Sequence, residues 1–304
     1  MHSLRRILAF LSLACIPTFC YAADIGFQRS LPVTGNVTFS VCTGSGTIHI
    51  SGADASKIEI SAKIHGANWH DFGNSNDMKK LAATPPVEQT GNVIKVGNSD
   101  ICSGKTYQNV AIDYEITVPK STTIVASSGS GDIHVESIGG FVRARANSGN
   151  VVVNGIGSDS FLRTGSGTID IQAAHGTVAA ESGSGDLSIR DSDVSEAWLK
   201  SGSGNITTTN LHGGLRANTG SGTLTIGGTP TADWKLGTSS GSIHMHMDPV
   251  AKFTLDAETG SGAIDSKLPS PLSGHIANGM LKGPVNGGGP TVQMYTGSGS
   301  IDFD

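Results

Sequence analysis

Polar and apolar residues alternate in short runs along most of this chain, and each run follows a glycine. Examples are Gly131-Asp132-Ile133-His134-Val135, Gly167-Thr168-Ile169-Asp170-Ile171, Gly185-Asp186-Leu187-Ser188-Ile189 and Gly222-Thr223-Leu224-Thr225-Ile226. A period of two predicts strands with one face buried, which sets Ile133, Ile169, Leu187 and Leu224 on a common inner face. A second alternating run precedes the next glycine: Val142/Ala144, Val178/Ala180, Leu215/Ala217 and Leu255/Ala257. Between the two runs lie corners such as Ile138-Gly139-Gly140 and His212-Gly213-Gly214, where glycine supplies positive φ.

The pattern recurs at a fixed interval. A Ser-Gly step followed by Ile, Val or Leu marks Gly46, Gly131, Gly149, Gly167, Gly185, Gly204, Gly222, Gly241, Gly262 and Gly299. From Gly131 to Gly262 the spacings are 18, 18, 18, 19, 18, 19 and 21 residues. The 37 residues from Gly262 to Gly299 read as two periods whose middle marker is degraded. Equal laps of two or three short strands predict one all-β domain, a parallel β-helix (β-solenoid) with about 18–19 residues per coil and a right-handed winding. Each coil lies on the last at ~4.8 Å. Propellers and sandwiches have longer or irregular repeats. The left-handed hexapeptide form is disfavoured because Gly139 and His175 stand six residues after Ile133 and Ile169.

Two segments break the rhythm. Residues 65–109, with Trp69, Pro85-Pro86 and the charges from Asp77 to Lys80, read as an insertion or edge hairpins after the first coil. Residues 266–296, rich in Pro and Gly, read as loop-rich C-terminal coils. Both are expected to cover the open ends of the solenoid, which would otherwise pair with another sheet.

Composition agrees with this architecture. Glycine makes up 42 of 304 residues, aromatics 5% and charged residues 15%, which is unlike a helical bundle. An apolar share of 37% and a formal charge of −5 are also unlike a disordered chain. Residues 1–22 read as a secretory signal: Arg5 and Arg6, an apolar run from Ile7 to Ala14, and a small-x-small site at Cys20-Tyr21-Ala22. The apolar run is too short to span a membrane, and Ser12-Leu13-Ala14 before Cys15 is a poor lipoprotein site. The domain therefore occupies 23–304, exported to the periplasm or cell surface, with no transmembrane segment after signal removal. Losing Arg5 and Arg6 and no acid takes the formal charge from −5 to −7, a poor balance for nucleic-acid binding. Cys42 and Cys102 remain, and an oxidising compartment points to one disulfide between them; the alternative is two buried free thiols.

Tyr114-Glu115-Ile116-Thr117-Val118-Pro119-Lys120, followed by Ser128-Gly129-Ser130-Gly131-Asp132-Ile133 and serial Ser-Gly repeats, resembles the bacterial "putative adhesin" family of β-helical domains. Gly44-Ser45-Gly46-Thr47-Ile48-His49-Ile50-Ser51-Gly52 looks like that family's first coil, and the resemblance covers most of residues 33–303. It implies an exported envelope protein with no shared catalytic site. The adhesin label rests on analogy with adhesin head domains, which is an argument about fold alone.

The residues themselves give little chemistry. The serines before the marker glycines, from Ser45 to Ser298, recur too often to be a nucleophile and read as corner residues hydrogen-bonding along their own column. His49, His134 and His244 share an outward column, but the last two lie six coils, about 29 Å, apart. His244 and His246 with Asp265, one coil later in the His244 column, are the best metal candidate, lacking further ligands. Asp132, Asn150, Asp186 and Asn205 form a column with Thr168 and Thr223 and offer weak Ca²⁺ binding. Ser103-Gly104-Lys105-Thr106 resembles the end of a phosphate loop, but Ser99 stands where its first glycine belongs. The outward column is too mixed for an ice-binding face.

The expected function is thus a non-catalytic, cofactor-free, adhesin-like interaction or scaffold surface in the cell envelope, with an envelope protein or glycan as partner. The alternative is a polysaccharide-active β-helix enzyme using Asp170, Asp191, Asp193 or Glu196. Coils this short leave no loops to wall a cleft for it.

Overall fold

The computed structural model describes residues 25–66, 75–97, 110–267 and 279–303. The described chain runs through β1 (Ile25–Pro32), β2 (Thr38–Thr43), β3 (Ile48–Ala53), β4 (Lys57–Gly66), helix α1 (Ser75–Ala83), β5 (Val87–Thr90) and β6 (Val93–Val96). Next come β7 (Val110–Pro119), β8 (Thr123–Ser128), β9 (Ile133–Ile138), β10 (Val142–Ala146), β11 (Val151–Ile156) and β12 (Ser160–Thr164). Four long strands follow: β13 (Ile169–Ser182), β14 (Leu187–Ser201), β15 (Ile206–Thr219) and β16 (Leu224–Thr238). Last are β17 (Ile243–Met247), β18 (Phe253–Ser261), β19 (Ile264–Ser266), β20 (Met280–Val285), β21 (Thr291–Ser298) and β22 (Ile301–Phe303).

These strands join into one continuous 22-stranded sheet that turns a corner within β13–β16 and so presents two walls. The first wall runs β1, β4, β7, β3, β9, β11, the leading halves of β13–β16, then β17, β22 and β19. The second runs β5, β6, β2, β8, β10, β12, the trailing halves of β13–β16, then β21, β18 and β20. Ile133, Val151, Ile169 and Leu187 follow one another in register, as the repeat requires. Their side chains and those of Val142, Ala144, Val178 and Ala180 on the second wall share a single core.

The marker glycines are required by closeness rather than by φ. A Cβ on Gly131 would lie 1.7 Å from the carbonyl oxygen of Gly46, and of the ten markers Gly46 alone has positive φ. Left-handed backbone falls instead six residues after a marker, at Ser137, Gly155, Ala173, Asp191, Asn210 and Gly228, one per coil. Side chains occupy four of these positions; of the corner glycines named from sequence, Gly213 has positive φ, as Gly176 does in its own coil, and Gly139, Gly140 and Gly214 do not.

The corner hydrogen bonds also differ from expectation. They come not from the serine beside each marker but from a buried hydroxyl two residues earlier. Thr164 Oγ1 donates to Gly149 O (2.7 Å) and accepts from Gly167 N (3.1 Å). Ser182, Ser201, Thr219 and Thr238 repeat this double bond, each linking its own coil to the preceding one. Ala146 occupies the same position in the coil of Gly149 and carries no hydroxyl.

The parallel stack finishes antiparallel on both walls at its N-terminal end and on the second wall at the other, where the first wall ends in parallel β19. At one end β1, β4 and β7 pair antiparallel on the first wall, the β5–β6 hairpin edges the second, and α1 packs against β1 with Met78 and Leu81 buried. At the other end β20 lies antiparallel on β18. Within 65–109, residues 67–74 (with Trp69) and 98–109 lie outside the described residues; within 266–296, residues 268–278 do. The reading of the 37-residue gap as two serial periods is corrected. β21 and β22 insert between β16–β17 and β18–β19, so Gly299 rests on Gly241, and Gly262 rests on Gly299.

Candidate functional site

Outward positions of a solenoid wall should be polar, and on the second wall several are not. Six residues before a marker, one outward column reads Arg143, Phe161, Ala179, Trp198, Arg216 and Lys235. Four residues before it, a parallel column reads Arg163, Glu181, Lys200, Asn218, Gly237 and Tyr295. Phe161, Trp198 and Tyr295 are 47%, 51% and 52% exposed, although large apolar side chains are usually withdrawn from water.

Small residues among large ones make the surface concave. Ala179 stands between Phe161 and Trp198, and Gly237 between Asn218 and Tyr295. The result is a groove of about 710 Å³ running across the strands from β12 to β21. Six strands at the usual spacing make it ~24 Å long.

Charge is arranged around the aromatics. The Arg216 guanidinium lies 5.3 Å from the Trp198 ring centre, and its Nε donates to Glu196 Oε1 at 2.6 Å. That hydrogen bond, and then the Trp198 side chain, hold the Glu196 carboxyl below the usual carboxylate range. Arg143 stacks 5.7 Å from both Phe141 and Phe161, and Arg163 faces Glu181 at 3.8 Å. Among the described residues the ammonium groups of Lys200 and Lys235 meet no hydrogen-bonding or ion-pair partner. Elsewhere charged columns pair between coils, as in Lys282 with Asp256 (2.8 Å) and His49 with Glu115 (2.9 Å).

The residues singled out from sequence fall elsewhere. His244 and Asp265 are not in adjacent coils: Asp302 lies between them, and its Oδ2 is 2.9 Å from His244 Nδ1. These residues and His246 line a separate hollow, and no group of three or more His, Cys, Asp or Glu side chains among the described residues is arranged to hold a metal ion. The Asp132 column caps backbone instead of gathering round a cation. Asp132, Asn150, Asp186 and Asn205 each accept the N–H of the equivalent residue one coil on, at 2.7–2.9 Å.

The acids do not converge either. Asp170 is held by Arg190 through both oxygens (3.0 and 2.9 Å) and by Ser188 (2.7 Å). Asp191 sits at the corner, where it accepts from Asn210, and the Asp193 backbone carbonyl meets His175. Cys42 is disulfide-bonded. Cys102, the segment 99–106 and the signal at 1–22 lie outside the described residues. Phe161, Trp198, Tyr295, Lys200 and Lys235 were not singled out from sequence. Their signal was available as aromatic and cationic residues at outward positions of the repeat.

Comparison with known proteins gives the family. Residues 39–303 match the Toastrack DUF4097 model, and the chain belongs to that family. The chain is similar to the crystal structure of a putative adhesin from Bacteroides fragilis, at 17% identity and a TM-score of 0.42, covering 92% of this chain and 97% of that one. It is similar to a putative lipid binding protein from Parabacteroides distasonis, at 15% identity and 0.47, covering 92% and 96%. A putative cell adhesion protein from Clostridium sporogenes shows 13% identity and 0.27, covering 91% and 98%. No curated protein gives a significant match.

Proposed function

We propose that this chain is a non-catalytic binding protein of the bacterial cell envelope whose working surface is the groove of the second wall. The observation that carries this reading is the exposure of Phe161, Trp198 and Tyr295 around one concave strip beside two cations without partners. Aromatic side chains concentrate at binding surfaces because they offer large contact area at small entropic cost. Residues 1–22 are its export signal, the destination is the periplasm or cell surface, and Cys42 bonds Cys102 there. The coils wind right-handed, as parallel strands joined by a crossover do in nearly all cases.

The test is co-sedimentation of purified protein with bacterial envelope fragments. Trp198→Ala and Tyr295→Ala should abolish it with an unchanged β-sheet circular dichroism spectrum, and a polysaccharide panel should show no cleavage. Saturable turnover on any of those glycans, or sedimentation indifferent to Trp198, would overturn the reading. N-terminal sequencing of the exported protein, expected to begin after Ala22, tests the signal.

A further inference from the structure

We propose that the groove holds an acidic polysaccharide, a chain of uronic-acid sugars lying across the strands, with sugar faces on Phe161 and Trp198 and carboxylates on Lys200 and Lys235. This rests on the groove being the binding surface and adds the chemistry of what it binds.

Shape comes first. The strip is long, shallow and open along one side of the wall, which suits an extended polymer. A lipid tail or small apolar molecule wants a pocket that encloses most of its surface. Phe161 and Trp198 are two strands apart, ~10 Å centre to centre along the groove. Alternate rings of an extended sugar chain can therefore rest on successive aromatics. The faces of a pyranose ring carry C–H groups, and those are what the negative face of an aromatic ring attracts. Tyr295 lies three strands beyond Trp198 in the neighbouring column, with a hydroxyl at its tip for a sugar oxygen.

Charge selects the class of sugar. The groove contains Lys200, Arg216 and Lys235 against Glu181, on a chain whose formal charge is −5. Glu181 faces Arg163, and Arg216 is engaged by Glu196, so the two lysines supply the uncompensated charge. They stand two coils apart, one in each column, on opposite sides of the strip. An ammonium group on a flexible stem fits a carboxylate whose position shifts as the polymer slides. Single-stranded nucleic acid also stacks on aromatics in basic grooves. Oligo-dT therefore serves as its competitor in the test.

The experiment is titration calorimetry of the full mature chain with polygalacturonate. Fully methyl-esterified polygalacturonate, phosphatidylglycerol vesicles and oligo-dT serve as comparisons. Expected are saturable binding to polygalacturonate, at least tenfold weaker binding to the ester, and loss of binding in Trp198→Ala with thermal stability unchanged. Lys200→Ser with Lys235→Ser should weaken binding five- to tenfold and flatten its salt dependence. Equal binding of ester and acid, equal or tighter binding of vesicles or oligo-dT, or full binding by Trp198→Ala would each overturn the proposal. No binding to polygalacturonate, with Trp198-dependent envelope sedimentation intact, would remove the acidic glycan and leave the groove as the binding surface. Sedimentation indifferent to Trp198 would remove both.

Discussion

Gly185 lies against Gly167 of the preceding coil so closely that a Cβ on Gly185 would come 1.8 Å from the Gly167 carbonyl oxygen. The obstacle is backbone in the middle of the stack, with no flexible side chain to swing aside. Gly185→Ala must therefore push two coils apart along the whole corner. The expected cost is about 2–3 kcal/mol, the upper range for forced overpacking, read as a lower melting temperature by circular dichroism.

The buried hydroxyls give a paired prediction. Thr164→Val keeps the shape but leaves Gly149 O and Gly167 N without their bond, and should cost about 1–3 kcal/mol. Ala146→Thr supplies the hydroxyl that the coil of Gly149 lacks and should stabilise by about 0.5–1.5 kcal/mol. Denaturant titration of both variants measures the two signs.

Ala173 holds a left-handed conformation with φ of 52°. A Cβ in that region costs about 1–2 kcal/mol, partly offset by the greater freedom that glycine has when unfolded. Ala173→Gly should raise stability by about 0.5–1 kcal/mol in the same titration. The corners at Gly155, one coil before, and Gly228, three coils after, already have this solution, so the change should leave the register intact.

Glu196 connects pH to the groove. Its folded carboxyl titrates below its unfolded value because Arg216 and then Trp198 favour the ionised form. The contribution to stability is therefore present above the unfolded value and is lost as pH falls through the folded one. Trp198 fluorescence, taken as the difference between the parent and Trp198→Phe, should change at a midpoint below the usual ~4.3 of a glutamate. Glu196→Gln should remove that step.

Reduction tests the cross-link. A Cys42–Cys102 bridge closes a loop through the N-terminal cap and should contribute about 2–4 kcal/mol. Non-reducing peptide mapping should recover the two cysteines together, and dithiothreitol should lower the melting temperature. Peptides with either cysteine alkylated before reduction would exclude the pairing.

The two walls and their register were legible because each coil repeats one instruction. Ile133, Val151, Ile169 and Leu187 occupy the same place in successive laps, and burial of any one demands the others. The marker glycines were visible as a spacing, but their cause was not. Backbone approach between Gly131 and Gly46 arises from stacking and leaves no local trace in either residue's neighbours. The aromatic strip was hidden for a related reason. Phe161, Trp198 and Tyr295 are far apart in the chain, and each alone reads as core. Their outward direction appears when position is counted from the nearest marker glycine instead of judged by residue type. The order of the last coils was illegible because β21 and β18 carry the same alternation, so either could follow β16.

That order has a consequence for synthesis. A chain emerging from its N-terminus can lay down coils in sequence as far as β17, where the next strands to appear, β18 and β19, belong one layer further out. Residues 291–303 must be translated before the layer beneath them exists, so the growing stack halts with two unpaired edges exposed. Premature docking of β19 on β17 is the natural error.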